Sequence, residues 1–428
     1  MMPNMPLAIA QMHLRNCWHA VLAKPMAGKR QSMVFDKASR PFALYLHWPF
    51  CRAKCPYCDF NSHVSNDVDS KIFGDALCTE MTHMASLMLS RSSLSSLFFG
   101  GGTPSLMPPI LVERLIRHAE DLFGFTGDIE ITAEANPTSV EADAMLGFQK
   151  AGVNRVSMGV QSLDDASLKF LGREHSAADA LHALDKVKEA FDRVSIDLIY
   201  ALPDQSPKAW QAMLGQALSL GLGHLSLYQL TIEAGTVFHT RQRRGETMAL
   251  DDDRAADLYE MTQQMTHAAG LPAYEISNHA APGQECRHNL TYWQAGDWLG
   301  VGPGAHGRFA LFDPAENIAT RNATVTRRSP AGWLDAVAAK GHGIDEAQID
   351  SPADWASEMV MMGLRLTNGI DLGVIENLCG PCDDWLDGDG VEQAIAAGWL
   401  RRIPNQSRLI ASDDGRLRLN HILSTILR

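Results

Sequence analysis

The stretch YLHWPFCRAKCPYCDFNSH, Tyr45 to His63, carries Cys51, Cys55 and Cys58 in the spacing C-x3-C-x2-C. Thiolate is the preferred ligand of iron–sulfur clusters, and such close spacing lets one loop wrap several corners of a cube. The set then stops one thiol short, because Phe60 stands two residues after Cys58. Three cysteines hold three irons of a [4Fe-4S] cluster and leave the fourth iron open to an exogenous ligand, much as catalytic zinc sites keep a position free. A zinc site is the alternative, and it needs a fourth ligand, His47 or His63.

Working outward, six short aliphatic segments read as buried strands: ALYLHW from Ala43, SSLFF from Ser95, DIEITAE from Asp128, NRVSMGV from Asn154, RVSIDLIY from Arg193 and HLSLYQL from His224. Helical stretches separate them. One covers about Asp67 to Leu89, and one opens at Pro108 and Pro109, residues suited to a helix start. A third begins with the capping-box pattern TSVE at Thr138, and others cover about Ala177 to Phe191 and Pro207 to Leu220. This alternation predicts a parallel sheet, doubly wound or curled into a partial barrel. Polar and glycine residues collect late in each strand or just after it: the three cysteines, GGGTPS from Gly100, then Glu134, Gln161 and Asp197. The C-terminal strand ends of α/β barrels build the site, so a cofactor belongs there.

Bulk properties narrow the class. A chain of 428 residues with 46% hydrophobic and 20% charged residues is long enough for one large domain and a smaller one. A net charge of −13 argues against gripping phosphate backbones, so no nucleic acid is expected, and no run of about 18 apolar residues predicts a membrane span. Eight clustered cysteines suit metal chemistry in a reducing compartment, hence the cytoplasm, rather than a disulfide scaffold. Residues 1–32 carry Arg15, Lys24, Lys29, Arg30 and no acid, the balance of an organellar transit peptide, but they have three prolines and no amphipathic period. The plainer expectation is an over-long start, with Met33 the true one.

The C-x3-C-x2-C motif with Tyr57 before its last cysteine resembles the signature of the radical S-adenosylmethionine superfamily. There the open iron is chelated by the amino and carboxylate groups of S-adenosylmethionine, and the reduced cluster passes an electron to the sulfonium, releasing a 5′-deoxyadenosyl radical. Within the superfamily, LYLHWPFC, FFGGGTPS, EANP, SMGVQS and SIDLIYALP are similar to the group of the oxygen-independent coproporphyrinogen III oxidases and the HemW heme chaperones. The resemblance implies a partial (β/α)6 barrel. Tyr45 would lie by the cofactor's methionine end and Tyr57 beside the cluster. Gly101, Gly102 and Thr103 would let backbone N–H groups approach the cofactor. Glu134, Gln161, Arg173 and Asp197 would hold its polar groups.

Phe60 separates the two branches, since the oxidases carry a further cysteine there, and this chain reads Cys58-Asp59-Phe60 as the HemW family does. RHNLTYW, Arg287 to Trp293, matches that family's HNxxYW signature. A neutral imidazole such as His288 ligates heme iron, and Tyr292 and Trp293 offer flat apolar surface beside Asn289. The resemblance then implies a carrier binding a [4Fe-4S] cluster, S-adenosylmethionine and heme. It would hand heme to an acceptor such as a respiratory heme protein and take electrons from a donor such as flavodoxin. The rivals are an oxygen-independent coproporphyrinogen III oxidase and a radical enzyme on another substrate.

The expected organisation is an extension over 1–40, a core barrel over 41–275, a capping segment with HNxxYW over 276–343 and a small helical, winged-helix-like domain over 344–428 with a hairpin around Asp413, Asp414 and Gly415. That last part has 7 Arg and no Lys against 14 Asp plus Glu, a net of −7, which excludes DNA binding in favour of a lid or partner surface. CGPC, Cys379 to Cys382, has thioredoxin spacing but follows an expected helix end with no βαβ unit around it. GVGPGAHG, Gly300 to Gly307, mimics a dinucleotide loop that Pro303 interrupts; in the family it lies near the cofactor, with His306 a spare ligand. Cys17, Cys78 and Cys286 read as incidental thiols.

Overall fold

Phe42–Trp48 (β1) is buried along its whole length, as a strand is when both faces of a parallel sheet are covered. Leu94–Gly101 (β2), Phe125–Ala135 (β3), Arg155–Gln161 (β4), Arg193–Tyr200 (β5) and His224–Gln229 (β6) follow. They pair in sequence order, each parallel to the last. Parallel neighbours need a crossover, and the helices Ser70–Leu87, Pro109–Phe123, Ser139–Ala151, Ala177–Ala190 and Pro207–Ser219 supply it. This computed structural model describes residues 40–65, 67–88, 93–313 and 318–428; the expectation for residues 1–32 lies outside them.

Local chemistry starts the helices. Asp69 accepts from the amides of Lys71 and Ile72, both at 3.0 Å, and proline occupies the first turn of Pro109–Phe123 and Pro207–Ser219. The capping box expected at Thr138 forms only in half. The Thr138 hydroxyl accepts from Glu141 N, but the Glu141 carboxylate turns instead to Asn136 N at 2.7 Å and to the Ser105 hydroxyl.

The sheet does not end with six strands. Asp297–Val301 pairs parallel to β1 on its free side, followed by His306–Asp313, Ile318–Thr326 and Ile344–Asp350, all antiparallel. Asn278–Ala280 adds to β6 at the other edge, giving eleven strands in an open sheet. The segment expected merely to cap the barrel thus extends its sheet. The boundary expected at residue 344 moves past 350, because Ile344–Asp350 hydrogen-bonds to Ile318–Thr326.

The C-terminal part has a core of its own around Trp355, Trp385 and Ile422, with a sheet of Ile370–Asp371, Arg408–Ala411 and Leu400–Arg402. Its hairpin turns between Arg402 and Arg408. The turn expected at Asp413 is instead the helix Asp413–Leu417, capped by Ser412 with two acids in its first turn, a charge pattern that favours a helix N-terminus. Arg321, fully buried, joins the two parts. It bonds Asp297 at 2.8 Å, lies 3.7 Å from Glu358 of the helix Pro352–Gly363, and sits over the Trp298 and Trp355 rings. Among the described residues no helix is long and apolar enough to cross a membrane.

A buried carboxylate ties the added strands to the barrel. Glu80, on the helix Ser70–Leu87, accepts from Gly302 N at 2.7 Å, Trp333 Nε1 at 2.9 Å and Gly343 N. Burial pushes it up to about 7 against the pull of those donors. The unfolded carboxyl loses its proton near 4.5 and the folded one near 7, so folding takes up a proton in that window and stability falls as pH rises through it. Glu80→Gln should flatten this part of the melting-temperature profile between pH 5 and 8, measured beside the parent chain.

Candidate cofactor site

A cavity of about 330 Å³ opens at the C-terminal ends of β1–β6 and reaches down to the helix Arg287–Trp293. It is lined by Cys51, Cys55 and Cys58 and by Tyr45, Tyr57, Gly101, Gly102, Thr103, Glu134, Gln161, Arg173 and Asp197. His288, Asn289 and Tyr292 line it as well, but Trp293 does not. That indole is buried with Trp298, Met362 and Leu366, under the C-terminal part.

The cysteine loop leaves β1 and folds back through the pairing of Phe50–Cys51 with His63–Val64. Each thiol has polar neighbours: Thr103 Oγ1 donates to Cys51 at 3.3 Å, Arg173 Nη1 to Cys55 at 3.2 Å, and Ser62 Oγ lies 3.8 Å from Cys58. Burial raises the Cys51 thiol and pushes Cys58 up to about 11, so an electropositive metal is the partner that makes thiolates there favourable. The two histidines offered for zinc are committed elsewhere. His47 faces the Tyr45 hydroxyl at 3.1 Å and the Asn61 carbonyl at 2.9 Å, and His63 faces Asn61 Oδ1 at 3.4 Å. Three thiols with no fourth side-chain ligand among the described residues suit a cube with one open corner.

The glycine loop works differently from expectation. Gly102 N donates to Trp48 O at 2.7 Å, Thr103 N to Phe50 O at 2.8 Å and Gly101 N to Glu134 Oε2 at 3.1 Å, so none of these N–H groups is left for a cofactor. Glycine is needed for packing: a Cβ on Gly101 would meet the His47 ring at 2.6 Å, and one on Gly102 the Phe50 carbonyl at 2.7 Å. The loop holds the start of the cysteine loop against β2.

Above it, carboxylates and cations share one wall. Burial and then Asp197 push Glu134 up to about 8, against the Gly101 amide. Burial also raises Asp197, opposed by Ser226, Ser157, Arg155 and Arg173. Gln161 closes β4 at φ 68° beside a break in register, a left-handed conformation uncommon for a non-glycine residue. Arg173 also donates to Asn136 Oδ1 at 2.6 Å and Gly159 O at 2.9 Å, while its Nε is buried without a partner. That orphaned donor, the thiols and the two carboxylates form a donor set that fits a cluster with a zwitterionic nucleotide.

The floor is the helix Arg287–Trp293, with no side-chain cap of its own. Glu130, from β3, substitutes: its carboxylate accepts from Arg287 N and His288 N, both at 3.2 Å, and pairs with Arg193 at 2.8 Å. His288 lies flat against Phe98, ring centroids 4.8 Å apart. Its Nδ1 is 3.0 Å from Ser96 Oγ and its Nε2 2.6 Å from Tyr292 Oη, and burial, then Arg155, lowers it to about 3. The imidazole is neutral with both nitrogens engaged, so ligation requires Tyr292 or Ser96 to move.

The remaining motifs resolve. CGPC ends the helix Leu372–Cys379, where the dipole opposes a thiolate, and burial pushes both thiols up to about 12. GVGPGAHG connects Asp297–Val301 to His306–Asp313; Asn61 Nδ2 donates to Pro303 O at 2.8 Å, and His306 borders the cavity. Cys78 is buried in a helix and Cys286 faces Glu130 at 3.4 Å; Cys17 lies outside the described residues. Sequence reasoning missed Asn136, Glu130 and Arg155. For Arg155 the signal was available, since Arg155, Ser157, Gly159 and Gln161 alternate along β4 and all face the cavity.

A barrel with three thiols at its mouth defines the class, and residues 45–217 match the Radical SAM superfamily. The chain is 36% identical over 389 residues to heme chaperone HemW of Escherichia coli, covering 90% of this chain and 98% of that one. It is 40% identical over 336 residues to the mouse mitochondrial radical S-adenosyl methionine domain-containing protein 1, covering 78% and 75%. It belongs to the HemW family of the radical S-adenosylmethionine superfamily, whose cofactors are a [4Fe-4S] cluster and S-adenosylmethionine. The solved structure of E. coli coproporphyrinogen III oxidase (HemN) shares the fold, with TM-score 0.73 over 90% of each chain, at 23% identity.

Alanine at Cys51, Cys55 or Cys58 should abolish iron retention after anaerobic reconstitution, measured as iron per chain, while Cys379→Ala leaves it unchanged. Glu130→Ala leaves Arg193 only the oxygens of Gln284 and Glu285 and strands two helix amides, and should destabilise the fold by about 2–3 kcal/mol in urea unfolding.

Proposed function

We propose that this protein is a heme chaperone: it binds heme and transfers it to an acceptor protein while carrying a [4Fe-4S] cluster at Cys51, Cys55 and Cys58. Tyr45, Tyr57, Gly101, Gly102, Thr103, Glu134, Gln161, Arg173 and Asp197 would hold S-adenosylmethionine. When bound, these cofactors supply one-electron chemistry. The chain's own residues orient them: Arg173 steadies Cys55, and Glu134 and Asp197 face the cavity as acceptors. The acceptor is a heme protein such as a respiratory one, the electron donor is of the flavodoxin kind, and the setting is the cytoplasm.

The observation that carries this reading is the shared chamber. His288, Asn289 and Tyr292 border the same cavity as the three cysteines, and Phe60 occupies the place of a further thiol. His288 Nε2 would ligate heme iron once the Tyr292 hydroxyl gives way, and Trp293 supports the helix from behind.

Anaerobic reconstitution followed by heme titration and a coproporphyrinogen assay on one sample tests it. Heme uptake without coproporphyrinogen consumption is expected; robust decarboxylation makes the protein an oxidase. Tyr292→Phe removes a hydrogen bond that competes for Nε2, worth about 1 kcal/mol, and should tighten heme binding roughly fivefold. Unchanged or weaker binding removes His288 as the ligand.

A further inference from the structure

Two polar side chains at the floor of the barrel have no role in holding the cofactors. Arg155, the first residue of β4, is 3% exposed and borders the cavity. Among the described residues, no hydrogen bond and no ion pair within 4.0 Å reaches its guanidinium. Thr132 is its register partner on β3, fully buried, and its hydroxyl also has no partner. Thr132 does not itself border the cavity, but strand alternation puts it on the same face as Glu134, which does, so it lies behind Arg155 as a second donor.

Burying a guanidinium without a hydrogen-bonded partner is costly, and such groups are otherwise paired. The acids nearby are engaged: Glu130 holds Arg193 at 2.8 Å and two helix amides, and Asp197 accepts from Ser157 at 3.2 Å. Both act on Arg155 through space without bonding it. An unpaired planar fork beside an unpaired hydroxyl matches the two oxygens of a carboxylate. Glu130 and Asp197, both in electrostatic reach of Arg155, disfavour a more highly charged anion such as phosphate. Cys286, His288 and Asn289 line the same cavity, so a ligand reaches Arg155 by an arm extended within it.

We propose that Arg155 and Thr132 form a carboxylate-binding pocket at the barrel floor, taking the terminal carboxylate of a ligand whose body lies above it in the cavity. The carboxylate comes from a propionate arm of a tetrapyrrole or from a free short-chain acid, and the pocket is required by neither the heme reading nor the cluster.

The test uses the full chain with its cluster reconstituted, and three probes: propionate against matched chloride, hemin, and hemin dimethyl ester. Melting temperature reads the first; optical titration reads the other two. The parent chain should be stabilised by propionate, or bind hemin about tenfold or more tightly than its ester, the worth of one charge-assisted hydrogen bond. Arg155→Met should erase the difference, Arg155→Lys should keep part of it, and the isosteric Thr132→Val should weaken it about threefold. A hemin preference without a propionate effect assigns the carboxylate to the tetrapyrrole; a propionate effect alone assigns it to a free acid. Equal binding of hemin and ester with no propionate effect overturns the pocket, as does any response that Arg155→Met leaves unchanged. Failure of the parent chain to take up hemin or its ester ends the heme reading instead and leaves the propionate measurement to decide this one.

Discussion

The guanidinium of Arg173 holds the cysteine loop to the barrel. It reaches Cys55 at 3.2 Å, Asn136 beyond the end of β3 at 2.6 Å and the Gly159 carbonyl of β4 at 2.9 Å, so three elements far apart in sequence share one rigid, planar donor. A cluster needs its ligands placed to a fraction of an ångström, and a loop by itself does not hold that placement. Asn61 does the same work on the opposite side, donating to the carbonyls of Pro303 and Arg328. Between them the loop is anchored both to the core barrel and to the strands that extend it.

That arrangement has a cost the rest of the fold meets. The barrel interior carries Glu134, Arg155, Asp197 and Ser157 where other barrels pack aliphatic layers. Charges in such a space are tolerable when each has a partner or a ligand, and when bulk water is kept out in a controlled way. The helix Arg287–Trp293 seals the floor, and Glu130 supplies the cap that its own sequence lacks. One chamber thus has soft metal ligands at its mouth, polar walls and a histidine sandwiched by aromatics at its base.

Much of this was legible in the chain. β1–β6 lie where aliphatic runs and turn residues put them, because a strand covered on both faces announces itself as a short apolar run. The thiol spacing singled out the site for a similar reason, since ligand geometry is local. The hairpin expected at Asp413 failed because Ser-Asp-Asp serves a turn and a helix start equally well, and the Ser412 cap decides between them. The glycines of the GGGTPS loop make close approaches that the sequence does not specify, to His47 and Phe50.

The amino-acid sequence by itself determined the six core strands with the helices between them, the three-thiol loop and the family to which the chain belongs. Each of those depends on periodicity and spacing within a few dozen residues. The tertiary structure alone decided that Ile344–Asp350 joins the large sheet, that Glu130 caps a helix some 157 residues away, that both nitrogens of His288 are engaged and that Arg155 stands unpaired beside Thr132. Hydrogen-bond satisfaction in a buried space is a property of the whole packing arrangement, and no local pattern records which partner a side chain finds or fails to find.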